Sequence, residues 1–211
     1  MSSILNLKEA ERKAFRSTFQ DGLWDIYLGL LLLNWGIGLL LSKDVSELWT
    51  MVAMLALALL DMLAFWAGKK FITAPRMGLV RFGPARKAKV KKVGVLLSLS
   101  VLVGVIMLVI GLAVGRHPPE WASYGWIVPA GVFGVNAIVV FGLGAYFLDF
   151  YRAYGYGWLY ALAFPANIML DEYAGITFPL AYFFSAGIMV LIGVVFFLRF
   201  LRDYPLPAEE A

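Results

Sequence analysis

The sequence has no cysteine, one histidine, four asparagines and one glutamine. The first absence excludes disulfides, thiolate metal sites and cysteine nucleophiles. A single imidazole, His117 beside Pro118 and Pro119, excludes a polyhistidine metal site built from this chain alone. Charge is scarce as well: Asp, Glu, Lys and Arg make up 15% of the 211 residues, where a soluble domain carries about a quarter. The HExxH, GxSxG, Walker and paired CxxC patterns are all missing. No nucleophile, base and orienting group come together in the sequence. No catalytic residue, metal or cofactor is therefore expected, and enzyme ranks last among the function classes.

Apolar residues are abundant. They form 62% of the chain, and the mean hydropathy is +0.80. A soluble fold of this size has too little interior to hide so much apolar surface, whereas lipid can solvate it. A hydrocarbon core about 30 Å thick needs roughly 20 helical residues. Six runs approach that length: 22–41, 48–68, 93–114, 126–148, 155–170 and 178–200. The expected fold is an all-α membrane bundle of about six transmembrane helices. Residues 1–21 read as an amphipathic helix on the membrane surface, with Ile4, Leu7, Phe15 and Phe19 on one face and Lys8, Arg12, Lys13 and Arg16 elsewhere. The span-forming domain is then 22–200, with a short tail at 201–211. Tryptophan and tyrosine collect near the proposed span ends, as an interfacial belt requires.

Lys and Arg set the orientation. With the N-terminus inside, sixteen fall on inner segments and two, Lys43 and Arg116, on outer ones. That asymmetry places both termini on the cytoplasmic side of the membrane. It also accounts for a pI near 9.3 without invoking nucleic acid. The fifth run is the weak one, being short and interrupted by Pro165, with Asn167, Asp171 and Glu172 following. Proline-broken spans are a pointer to transporter sites and also occur in ordinary bundles. The first three and last three spans run in opposite senses, with Asn34 and Asn136 at corresponding places, a faint sign of an inverted repeat.

Three groups of residues stand out. The inner loop 69–92 has nine positive charges and no acid. Arg76, Arg81, Arg86 and Lys87 are its candidate contacts to anionic lipid or another anionic ligand, although any inner loop tends to be basic for topology alone. Alternating apolar and polar residues between Pro75 and Pro84 suggest a short strand or hairpin, and Pro84 suits the first turn of a helix leading into the third span. Asp25 and Asp61, at similar expected depths, form a candidate polar cluster with Asn34, Asn136, Asp149 and Arg152. Its readings are a proton, cation or solute path, or a structural polar pair. A stripe of Gly131, Val135, Ile138, Gly142, Ala145 and Asp149, with Gly134, Ala137 and Gly144 nearby, and the Gly111-xxx-Gly115 pair, read as helix-packing surfaces. Asp149 and Arg152 are spaced to pair with each other.

Two stretches carry a resemblance: Asp21-Gly-Leu-Trp-Asp-Ile-Tyr-Leu-Gly29 and Thr73-Ala-Pro-Arg-Met-Gly-Leu-Val-Arg-Phe-Gly-Pro-Ala-Arg-Lys87. They are similar to patterns in small prokaryotic multi-pass membrane proteins with no assigned activity. The resemblance implies a bacterial or archaeal inner membrane and a recurrent design that includes the first acid and the basic loop. It implies no activity. Asp21-Gly22 also resembles the opening of the CDP-alcohol phosphotransferase signature, but the acids and arginine that should follow are missing. The leading expectation is a non-catalytic membrane component that binds lipid or packs with a partner protein or a second copy. The alternative is a small transporter or channel.

Overall fold

The structure is a computed structural model that describes residues 19–77, 84–116 and 127–205. The described residues are helical, with no strand among them, in six long helices: α1 Leu23–Asp44, α2 Glu47–Ala67, α3 Pro84–Arg116, α4 Ile127–Leu148, α5 Arg152–Ala174 and α6 Leu180–Asp203. Five helices are long and apolar enough to cross a membrane: α1, the segment Glu47–Met77 built on α2, Arg86–Met107 within α3, α4 and α6. The amphipathic segment 1–21 lies almost wholly outside the described residues.

Two sequence expectations change here. The fifth run is not broken. α5 continues through Pro165 as one 23-residue helix. The expected strand or hairpin after Pro75 also fails on its described part. α2 passes into a π-helical turn, Gly68–Thr73, and then a short helix, Ala74–Met77, which contains Pro75. A proline ring normally strikes the carbonyl four residues earlier. A wider turn immediately before it shifts the backbone and lets the helix run on. The described part of α3 begins at Pro84.

The chain divides into two compact units. One contains α1, α2 and α6; the other contains α3, α4 and α5 up to Ile168. The grouping is not the two sequential halves that an inverted repeat would produce.

In the first unit α1 packs between α2 and α6, antiparallel to both. Gly22, Gly29 and Gly36, spaced by seven, face α6. A Cβ added at Gly29 would meet Val190 and Met189, and one at Gly36 would meet Phe183 and Tyr182. Seven-residue spacing keeps small residues on a single seam, so the backbones come close and dispersion contacts multiply. α6 returns the pattern with Tyr182, Ala186, Met189 and Gly193, all buried. The seam is tightest at its start. Gly22 has φ of 76°, and a Cβ there would strike the Gly193 carbonyl oxygen. Both the backbone angle and the space require glycine at this position.

In the second unit α4 packs on α5 through Gly134, Ala137 and Phe141 against Gly157 and Ala161. The stripe expected from sequence holds in its second half, where Ala145 is buried and Ile138 and Gly142 lie against α5, whereas Gly131 and Val135 are exposed and the nearby Gly134 and Ala137 are buried in their place. Several phases of a glycine-rich helix look alike in sequence, and only packing selects one. α4 ends in a Schellman-type turn, with Asp149 at φ 55° and Phe150 N–H donating to the Ala145 carbonyl at 3.0 Å.

Candidate functional site

The most buried polar centre lies where α1 begins. Asp21, just ahead of the helix, is fully buried. One carboxylate oxygen accepts from Leu23 N–H at 3.2 Å, in the positive field of the helix start. The other accepts from Lys69 Nζ at 2.6 Å and from Thr73 Oγ1 at 2.7 Å. Both donors come from the π-helical turn Gly68–Thr73. Residues four apart share one face of a helix, so both side chains reach the same oxygen. Lys69 Nζ also lies 5.7 Å from the centre of the Phe65 ring, which packs on Trp24 and Tyr27 of α1. Asp25, fully buried one turn into α1, lies within electrostatic reach of Lys69.

Sequence reasoning named Asp25 but not Asp21, Lys69 or Thr73 as cluster members. A signal was present: the two stretches that carry the resemblance begin at Asp21 and Thr73, and those two residues are hydrogen-bonded to each other.

Asp25 and Asp61 do not meet as expected. Asn34 Nδ2 donates to Asp61 Oδ2 at 2.7 Å. Antiparallel register puts Asp25 level with Lys69 and Asp61 level with Asn34, nine residues on, which is ~13 Å along the axis. Leu23 and Gly68 are level and in contact, and from there Asp25 lies two residues along α1 while Asp61 lies seven along α2, so Asp61 is more than one turn deeper.

Asn136 is matched within the second unit, donating from Nδ2 to Ser100 Oγ of α3 at 2.8 Å. Asp149, pointed out of its left-handed turn, accepts from Arg86 at 2.7 Å with both side chains largely buried. Arg152 places its guanidinium 5.1 Å from the centre of the Phe150 ring.

The four candidate anion contacts therefore fare differently. Arg86 is spent on Asp149, and Arg76 donates to the Ile72 carbonyl at 2.9 Å. Lys87 is exposed, and Arg81 lies outside the described residues. Exposed cations continue along α3 at Lys91 and Lys92, with Lys92 Nζ 5.6 Å from the centre of the Phe147 ring. Among the described residues no group of three or more His, Asp or Glu is placed to hold a metal ion.

Two open grooves lie on the second unit. One, of about 400 Å³, is lined by Val103, Gly131, Val135 and Asn136. The other, of about 500 Å³, runs between α3 and α4 beside Lys91 and Lys92. Neither is lined by Asp25 or Asp61. No family model, curated protein or solved structure matches the chain.

Proposed function

We propose that this chain is a non-catalytic component of a prokaryotic cytoplasmic membrane, crossing it six times with both ends inside, and that its basic inner end holds anionic lipid. Six crossings are supported by the length of α5. Its 23 residues reach about 34 Å, enough for a core about 30 Å thick. The lipid reading rests on the first turns of α3. There Lys87, Lys91 and Lys92 are exposed on one helical extension, and the Arg86–Asp149 pair fastens that extension to the end of α4. A fixed row of ammonium groups beside an anionic leaflet gains about 1 kcal/mol of attraction for each base.

The test uses delipidated protein and its thermal unfolding with phosphatidylglycerol or phosphatidylcholine. Phosphatidylglycerol should stabilise the wild type more, and a variant with Lys87, Lys91 and Lys92 all changed to Gln should lose that preference. An equal response of the wild type to the two lipids, or an unchanged preference in the variant, would remove the proposal.

A second reading, transport of a cation, proton or small solute, is favoured by one observation: the Asn34–Asp61 pair sits well inside two helices long and apolar enough to span. An ionisable group at such depth is expensive and is a functional candidate for that reason. Proteoliposome flux through the intact protein that falls in Asp61→Asn would support this reading. Background flux in both would dismiss it.

A further inference from the structure

The groove between α3 and α4 has the form of a site for one lipid molecule. On α3 its wall is a stripe at three- and four-residue spacing: Lys91, Lys92, Val95 and Leu99. On α4 it is Leu143 and Phe147, one turn apart. The volume is about 500 Å³, within the range of small-ligand sites. Its polarity is graded. The two lysines stand at one end, and the rest of the named wall is hydrocarbon. From Lys91 to Leu99 the stripe covers ~12 Å, close to the depth of one leaflet's ~15 Å of hydrocarbon. The nearby acid, Asp149, already accepts from Arg86. The charge at the mouth is therefore positive, and it complements a phosphate.

We infer that this groove binds one anionic glycerophospholipid of the inner leaflet, with its phosphate on Lys91 and Lys92 and an acyl chain along Val95, Leu99, Leu143 and Phe147. The inference rests on the lipid reading above and narrows it from a charged surface to a single bound molecule. A headgroup alone would leave the apolar wall uncovered, and a zwitterionic headgroup would bring its own cation against the lysines.

Photoreactive acyl chains test this in the full-length protein. Phosphatidylglycerol and phosphatidylcholine bearing the same photoreactive chain are compared, with adducts mapped by mass spectrometry. The expected result is labelling concentrated on 95–99 and 143–147, about fivefold or more above phosphatidylcholine, the factor for retaining one lysine's attraction. Lys91→Gln/Lys92→Gln should bring phosphatidylglycerol down to the phosphatidylcholine level. Leu99→Trp, at an exposed position that a ring would use to fill the groove, should remove adducts there while leaving thermal stabilisation by phosphatidylglycerol in place.

Equal labelling by the two lipids, or adducts spread evenly over the helices, would overturn the site. Displacement of the probe by soluble glycerol phosphate would show a headgroup site without a chain and would also overturn it. If stabilisation by phosphatidylglycerol survives any of these results, the broader lipid reading stands while the groove falls. If phosphatidylglycerol neither labels nor stabilises, both fall.

Discussion

Adding one methyl group at Gly193 should force α1 and α6 apart. The new Cβ would lie 2.6 Å from Ile26 Cγ1, 2.7 Å from the Ile26 backbone nitrogen and 3.0 Å from Asp25 Cβ. Ordinary contacts of this kind lie at 3.4–4 Å. A backbone nitrogen in the first turn of a helix, already bonded to the Gly22 carbonyl, has no rotamer to escape into. The helices must then separate by roughly 0.7 Å, and a gap of that size already forfeits a sizeable part of each dispersion contact along the seam. Overpacking of this kind costs about 1–3 kcal/mol. Gly187, on the same helix, has nothing within 4 Å of its added Cβ, so Gly187→Ala is the matched control. Both substitutions gain the same helix propensity, about 0.5–1 kcal/mol. Their difference therefore isolates the packing cost. At this chain length it corresponds to a gap in melting temperature of at least ~2 °C, and ~6 °C at the middle of the range. Thermal unfolding in one detergent measures it. Equal melting temperatures for the two variants would refute the glycine seam as the contact that holds α1 against α6.

The buried pair of Asp21 and Lys69 should show strong coupling. Lys69→Met leaves a buried carboxylate short of its cation and should cost up to about 3–5 kcal/mol, while Lys69→Met combined with Asp21→Asn should recover most of the loss. Additive losses in thermal unfolding would deny the pair. Arg86→Ala should loosen the start of α3, raising amide exchange over 84–92 by about tenfold, the factor for losing ~1.5 kcal/mol of a charge-assisted bond. Unchanged exchange would mean that Arg86 does not fasten the extension. Because the chain has no cysteine, single-cysteine variants report topology directly. Asp44→Cys should react with an impermeant thiol reagent on intact cells, and Lys87→Cys only after permeabilisation. The reverse pattern would invert the proposed orientation.

Composition and periodicity alone determined that this chain is helical and apolar along most of its length, because hydropathy is summed over many residues and tolerates local error. Partner choice was not readable. Asp25 with Asp61 was a reasonable pair by depth, yet Asp61 accepts from Asn34, and Asp149 accepts from Arg86, a residue that spacing along the chain did not single out for it. Those outcomes depend on helix register, which leaves no mark in hydropathy. The phase of α4 was only partly readable: Ile138 and Gly142 of the expected stripe lie against α5, but toward the helix start Gly134 and Ala137, rather than Gly131, take that face. Only tertiary packing placed Asp21, Lys69 and Thr73 around one oxygen atom, and set two lysines at the mouth of an apolar groove.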